Sequence, residues 1–355
     1  MQNTQVQFNG IPHMSGNCWR SIEAAVRARP QCRYLEWGSG NSTIALLRLV
    51  LDNPGLSGLK LHSIENDPGF ANGMFDAIAQ TFRHASVDGA VRIEWLGFSK
   101  PSFFEALRGD PVVSRYEAHL LKLLWYTRND GFWSAAAQPS ASQVGRYIVW
   151  RRYLIRLQCS AAFRWERFRR ALARSGRVGT VTTAGTAQSP KIPRLNGPTR
   201  VTFDTERVRF ELLLVPQLRN WLWRRGPILD GLYQEFADYV SAPLEGQFDV
   251  VLVDGRARTS CLKRIHHDVL LAPGGVLFLH DAHRPFHHEA LQLFGTWSYV
   301  RGSNVRLDGA PLNADQRGGQ LPFVRSGPSM QQVEAVFDRE LYFYEAPASG
   351  NSGVS

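Results

Sequence analysis

The sequence predicts an α/β fold in which a mostly parallel sheet lies between helices, and three observations carry that prediction. Arg33 to Thr43 (RYLEWGSGNST) reads as a buried strand that ends in an acid and runs into a glycine turn opening a helix. Leu59 to Glu65 (LKLHSIE) reads as a second strand, again ending in an acid. Far downstream, Phe248 to Asp254 (FDVVLVD) and Val276 to Asp281 (VLFLHD) are apolar runs ending in acids, separated by a helical stretch and a Pro-Gly-Gly turn. Strands that alternate with helical patterns favour parallel pairing with helices on the faces.

In chain order, a leading helix around Asn17 to Ala28 stops before Pro30. The strand at 33–37 follows. Gly38 and Gly40 permit conformations and close approaches that a β-carbon would block, and Ser42 is a good N-cap for the apolar run Ile44 to Val50. Backbone N–H groups at such a helix start favour a carboxylate or a phosphate. The second strand delivers Glu65 to the crevice rim, with Asn66 and Asp67 next in line. A helix at about 69–82 and a third strand near 90–96 complete the first half.

The interval 98–246 then separates the two halves. It holds an apolar helix candidate (117–126), a polar linker (134–145), a basic aromatic helix (146–174) and a flexible Gly, Ser, Thr and Pro-rich stretch (174–200). An alternating stretch, Val201 to Leu214, precedes an aromatic helix ending near Val240, expected to rejoin the core as a covering helix. The second half, 247–345, has the strand at 248–254, a helix from Ser260 to Leu271, a turn at Pro273-Gly274-Gly275 and the strand at 276–281. The tail 346–355 is expected to be disordered. The organisation is therefore a core in two halves, 1–97 and 247–345, around an inserted subdomain.

A chain of 355 residues with 44% hydrophobic content buries a large core. No run reaches the roughly 18 apolar residues of a membrane span. The start, MQNTQVQFNG, lacks the basic and apolar regions of a signal peptide. Cys18, Cys32, Cys159 and Cys261 lie far apart with no CxxC, so reduced thiols and a cytoplasmic protein are expected.

The net charge of +10 has one address. Between Gly145 and Arg177 ten arginines stand against one acid, Glu166, which accounts for +9. Trp150, Leu154, Leu157, Ala161, Trp165, Phe168 and Leu172 recur there at spacings of three and four, along one face of a helix. Such a helix suits an anionic membrane surface, nucleic acid or another acidic polymer such as an acidic glycan. The plainer alternative packs Trp and Leu on the core with solvated arginines. Peripheral attachment through 146–177 is one expectation; oligomeric state is not legible.

The glycine turn argues against two ligand classes. A GxxxxGK[ST] phosphate loop needs a lysine that is missing here. A dinucleotide fingerprint needs a third small residue where Thr43 stands, which opposes a nicotinamide-dependent oxidoreductase. What remains is the acid-x-Gly-x-Gly form, Glu36-Trp37-Gly38-Ser39-Gly40, which resembles motif I of the class I S-adenosylmethionine-dependent methyltransferases. FDVVLVDGR and LAPGGVLFLHD look like the fourth and fifth strands of the same family, especially its small-molecule O-methyltransferase branches. The resemblance covers roughly residues 13–97 and 247–345.

That resemblance implies a Rossmann-like class I methyltransferase fold: a seven-stranded, mostly parallel sheet between helices, with a long, largely helical insertion after the third strand. It implies S-adenosyl-L-methionine as cofactor, held by Glu36, Gly38, Ser39, Gly40, Asn41, Ser42, Thr43, Glu65, Asn66, Asp254 and Gly255. Glu65 would bond the ribose hydroxyls. Acids beside a glycine turn also accept backbone bonds and shape the loop, and that alternative stands for Glu36 and Asp254. Trp37 and Trp95 either flank adenine or pack in the core.

For a hydroxyl acceptor, the protein must position the nucleophile in line, exclude water and remove a proton. Asp254 and Asp281 end strands that are neighbours in the family, about 4.8 Å apart. One can act as general base, or both can hold a divalent cation, as in metal-dependent relatives resembling catechol O-methyltransferase. The chain departs from those relatives, with His280 before Asp281 and Ala282 after it where an Asp-Asp or Asp-Asn pair is the pattern. His280 is a further candidate base, ligand or bonded structural residue. Arg256, Arg258, His283 and Arg284 suit an acidic acceptor, with salt bridges to Asp254 or Asp281 as the alternative. His266, His267, His287 and His288 read as solvated helix positions.

The expected function is methyl transfer to an oxygen, in preference to a nitrogen, of a small-molecule or glycan-like acceptor. Asp-Gly-Arg after the fourth strand stands where base methylases carry an Asn/Asp-Pro-Pro-aromatic motif, which disfavours base methylation. Two classes compete: a non-catalytic protein that keeps the fold and binds an anionic surface through its arginines, and a nicotinamide-dependent oxidoreductase, which Thr43 opposes.

Overall fold

The structure, a computed structural model, describes residues 8–56, 58–85, 89–95, 181–184, 198–216, 236–281, 287–301 and 339–348, and also positions 111, 146, 149, 150 and 153. Ten strands among the described residues form one mixed sheet. They are β1 (Arg33–Trp37), β2 (Leu59–Glu65), β3 (Gly89–Trp95), β4 (Val181–Ala184), β5 (Thr199–Thr205), β6 (Val208–Leu214), β7 (Phe248–Val253), β8 (Leu271–His280), β9 (Ser298–Arg301) and β10 (Arg339–Glu345). Their order is β4-β3-β5-β6-β2-β1-β7-β8-β10-β9.

The five central strands, β6-β2-β1-β7-β8, are parallel. The chain moves outward from β1 to β2, reaches β6, then returns to the far side of β1 for β7 and β8. Strand order therefore reverses between β1 and β7, and a crevice opens at the carboxyl ends there. Antiparallel strands close both flanks: β10 and β9 beyond β8, and β5, β3 and β4 beyond β6.

Two expectations are corrected. The sheet has ten strands rather than seven, and the third parallel strand is Val208–Leu214 rather than the stretch near 90–96. Val208–Leu214 is buried at all but one position, as a central parallel strand must be. Gly89–Trp95 instead pairs antiparallel with β5, with Arg92 exposed. The stretch Val201 to Leu214 is a hairpin, turned at Glu206 and Arg207, where Thr205 Oγ1 accepts the amides of Arg207 and Val208. The long interval thus falls between β3 and β5, with β4 inside it, before the third parallel strand.

The helices largely follow the predicted pattern. α1 (Gly16–Arg27) is capped by Ser15, and α3 (Pro68–His84) by Asp67, which accepts the Phe70 amide at 2.9 Å. α2 (Asn41–Asp52) starts one residue before the expected cap, so Gly40 is its N-cap and Ser42 lies inside. A single turn, α4 (Ala237–Val240), precedes β7, and α5 (Arg258–His267) begins earlier and ends sooner than expected. α6 (His288–Leu291) follows β8.

The predicted Pro273-Gly274-Gly275 turn lies within β8. Phe248 pairs with Leu271 and Val250 with Val276, so these residues bulge out of the ladder, with Gly274 at φ 70°. One apolar layer packs α1, α2 and α3 on the sheet through residues such as Ile22, Leu46 and Phe75. The other packs α5 through Leu262 and Ile265 against Trp37 and Val251. Among the described residues no helix is long and apolar enough to cross a membrane. Cys18, Cys32 and Cys261 are buried free thiols, and Cys159 lies outside the described residues. Of the expected tail, 349–355 lies outside them as well.

Candidate functional site

The turns after β1 and β7 meet glycine against glycine. Gly38 has φ 99°, and a Cβ there would lie 2.4 Å from Gly255 Cα. Gly38 N–H donates to Ile64 O at 3.0 Å, and Asp254 N–H to Trp37 O at 2.9 Å, which ties both turns to their neighbouring strands. Gly40 carries no such demand: its φ is 179°, and a Cβ would reach only Phe70 Cζ at 3.8 Å. A crevice of about 540 Å³ opens beside these turns, inside the range of small-molecule sites.

Nine of the expected cofactor residues line it: Gly38, Ser39, Gly40, Asn41, Ser42, Glu65, Asn66, Asp254 and Gly255. Glu36 and Thr43 do not; both are fully buried. Ser42 Oγ donates to Glu36 Oε1, and Thr43 Oγ1 donates to Oε2 at 2.7 Å while accepting the Gly40 amide at 3.0 Å. Ser63 Oγ lies 3.5 Å from Oε2 and 2.6 Å from Ser39 Oγ. Burial pushes the Glu36 carboxyl up to about 8, and the hydroxyls of Ser42 and Thr43 only partly offset it. Glu36 and Thr43 therefore shape the turn from beneath, which corrects their placement as ligand contacts.

Glu65 is at the crevice as expected. Its Oε1 accepts the amides of Asn66 and Asp67, each at 2.8 Å, which leaves Oε2 for a donor from the crevice. Burial raises its carboxyl to about 7, against the lowering effect of those two amides and of Arg256.

Across the crevice, Asp254 and Asp281 converge on one guanidinium. Arg258 Nη2 lies 3.0 Å from Asp254 O, 3.5 Å from Asp254 Oδ1 and 3.2 Å from Asp281 Oδ2. Arg258 is buried, so the attraction is screened less than at a surface. The expected metal pair thus has an organic cation between its members. Among the described residues no cluster of three or more His, Cys, Asp or Glu is arranged to hold a metal. Arg258 takes the salt-bridge alternative, while Arg256 lines the crevice nearer Glu65.

His280 is buried behind Asp254, its Nδ1 2.6 Å from Asp254 Oδ1, and is not part of the crevice wall. Asp281 is in the wall with a left-handed backbone, φ 55°, a conformation that is strained for a non-glycine residue. His283 and Arg284 lie outside the described residues.

The remaining expectations divide. Trp37 is a core residue whose Nε1 donates to Tyr239 O at 3.4 Å; the side chain of Trp95 is outside the described residues. His266 and His267 are exposed, but His287 is buried and bonded to Thr259 Oγ1 at 3.0 Å, which corrects its reading as solvated. The side chain of His288 is not among those described. Four wall residues carry no expected role: His13, Met14, Asp67 and Phe70. Phe70 was signalled by being an aromatic in the first turn after Glu65-Asn66-Asp67.

Within the basic interval, Arg146, Val149, Trp150 and Tyr153 are helical and exposed. Trp150, expected on an apolar packing face, is 59% exposed. The other positions of 146–177 lie outside the described residues. Comparison of the chain with protein-family models and with curated protein sequences finds no match.

Proposed function

We propose that the chain is an S-adenosyl-L-methionine-dependent methyltransferase with a Rossmann-like class I core, transferring a methyl group to an oxygen of a small-molecule or glycan-like acceptor. One observation carries this reading. The Gly38 to Ser42 turn, Glu65, Asp254 and Asp281, from four separate stretches of chain, face a single crevice at the point where strand order reverses.

The residues present fit that cofactor. The α2 start offers backbone amides to a carboxylate, Glu65 Oε2 is placed for ribose hydroxyls, and Phe70 offers a ring face or edge to a base. When bound, the cofactor supplies an electrophilic methyl on a sulfonium. Asp281, exposed to the crevice, receives the acceptor's proton as the oxygen attacks. Arg258 holds Asp281 and Asp254 together. His280 fixes Asp254 from behind. No metal step is assigned, because the Arg258 guanidinium already supplies the positive charge between the carboxylates.

Thermal shift with S-adenosylhomocysteine against NAD tests the ligand class. At 100 times its Kd, the cognate ligand adds about 2.7 kcal/mol of stability. A shift with NAD alone favours the oxidoreductase reading, which the buried Thr43, bonded to the Gly40 amide, opposes. A shift with S-adenosylhomocysteine but no transfer of labelled methyl across hydroxyl, carboxylate and amine acceptors would leave the non-catalytic reading.

A second property is supported by a separate observation. Arg146, Val149, Trp150 and Tyr153, each helical, are spaced i, i+3, i+4 and i+7, with Val149, Trp150 and Tyr153 exposed by 70%, 59% and 59%. They sit in the segment that carries +9 of the charge. An exposed apolar and aromatic face among arginines fits the headgroup region of an anionic bilayer. Flotation with phosphatidylglycerol vesicles, lost with neutral phosphatidylcholine vesicles and in the W150A/Y153A variant, is the expected result. Equal binding to both vesicle types would remove the proposal, and binding to single-stranded RNA in preference to vesicles would assign the face to nucleic acid.

A further inference from the structure

Residues 8–14 lie against α2 and α3 and place His13 and Met14 in the crevice wall. Their attachments are specific. The Phe8 ring packs edge-on against Phe70 at 4.8 Å and fills the space at Gly73, where a Cβ would come within 2.8 Å of it. Asn9 O accepts Arg48 Nη1 at 2.6 Å. Asn41, the first residue of α2, uses both ends of its amide: Oδ1 accepts the Gly10 amide at 3.0 Å, and Nδ2 lies 3.1 Å from His13 Nε2.

The Gly10 bond fixes which way the Asn41 amide points. With Oδ1 committed to an N–H, the nitrogen faces the imidazole, and an amide nitrogen only donates. His13 Nε2 must therefore accept, which an imidazole protonated at Nε2 cannot do. We propose that residues 8–14 are a strap latched over the ligand crevice, and that the latch needs a neutral His13, so acidification releases the strap and weakens ligand retention.

Charged groups line the same crevice as His13 from every element around it: Glu65 and Asp67 before α3, Asp254 and Arg256 after β7, Arg258 on α5 and Asp281 after β8. Arg48 on α2 holds the strap itself. Glu65 also titrates near neutrality, but its bonds go to the amides of Asn66 and Asp67 rather than to the strap. The consequence for ligand rests on the crevice being the cofactor site; the latch does not.

The test is amide hydrogen exchange at Gly10 in the full-length, unliganded protein between about pH 8 and pH 5, where imidazole ordinarily changes charge. After correction for intrinsic exchange, Gly10 protection should fall about fivefold or more on acidification, the worth of one hydrogen bond. His13→Gln accepts from Asn41 through Oε1 without titrating, and should hold protection constant. Asn41→Ala should lose it at every pH. Superimposable wild-type and His13→Gln profiles would overturn the latch, as would rising protection on acidification, which would mean that imidazolium is held by the crevice acids. In a second arm, the Kd of S-adenosylhomocysteine should weaken with acid more in wild type than in His13→Gln. Absence of S-adenosylhomocysteine binding at any pH would count against the cofactor reading alone, because the Gly10 measurement needs no ligand.

Discussion

His280 Nδ1 lies 2.6 Å from Asp254 Oδ1, and the parallel register that pairs Val253 with Leu279 brings the two residues together at adjacent strand ends. The imidazole is buried while Asp254 and Asp281 reach the crevice, so the roles divide between an inner support and outer carboxylates. Asp281→Asn should lower kcat about 100-fold or more, the usual worth of a general base, and leave the Kd for S-adenosylhomocysteine within about threefold. His280→Asn should lower kcat about tenfold through misplacement of Asp254. Steady-state kinetics with parallel binding measurements would check both. A larger effect at His280 than at Asp281 would reverse the assignment.

Glu65 carries the opposite signature. Its Oε1 is occupied by two amides and its Oε2 is left for ligand hydroxyls, so Glu65→Gln keeps an acceptor for the two amides but puts a donor-only NH2 where the ligand hydroxyls need a charged acceptor. Calorimetric titration should show S-adenosylhomocysteine binding about 10- to 100-fold more weakly, from the roughly 1.5–3 kcal/mol of hydrogen bonding to a charged group. At saturating cofactor, kcat should hold. A Kd equal to wild type would remove Glu65 from the ligand.

The paired glycines make a stability prediction. Gly38→Ala forces a Cβ to 2.4 Å from Gly255 Cα at a backbone φ of 99°, and Gly255→Ala drives one into the Tyr239 hydroxyl and the Gly38 amide. Backbone cannot yield as a flexible side chain can, so each should cost at least about 2 kcal/mol in denaturant unfolding. Gly40→Ala, with only Phe70 at van der Waals distance, should cost about 1 kcal/mol or less while still impeding a ligand in the crevice. Equal losses at all three positions would contradict the packing.

The distribution of these roles explains what the sequence made legible. β1 and β2 were read to the residue because each is an apolar run that stops at an acid or a glycine turn. β6 was hidden because its hairpin turns at Glu206 and Arg207, which carry no Gly, Pro or Asn signal, and its parallel partner β2 lies far back in the chain. The Pro273-Gly274-Gly275 turn was absorbed into β8 because the segment after β10 pairs with it, Ala346 N–H donating to Gly275 O. At the site, the glycine turn and strand-end acids were legible from local pattern. The inward position of Glu36 and the strap contacts of His13 depend on partners in other elements, such as Ser63 and Asn41, which no local pattern reveals.

Glu36 gives the fold a pH dependence of unusual sign. Burial raises its carboxyl to about 8, above the ordinary 4.5 of the unfolded chain. Between those values the folded state binds more protons than the unfolded one, so stability falls as pH rises from about 4.5 to about 8. Glu36→Gln keeps one acceptor oxygen for a hydroxyl donor, with the other hydroxyl accepting from the amide nitrogen as it would from a protonated carboxyl, and removes the titration. Thermal unfolding should therefore show a wild-type Tm that declines with rising pH across this window more steeply than that of the variant. Above pH 8 the variant should match or exceed wild type, because it no longer buries a charge. His13, Glu65 and the surface groups contribute equally to both proteins, so the difference between the two curves isolates Glu36. Parallel curves would show that the hydroxyls of Ser42, Thr43 and Ser63 hold the carboxylate ionised, and that the turn is built on a buried charge.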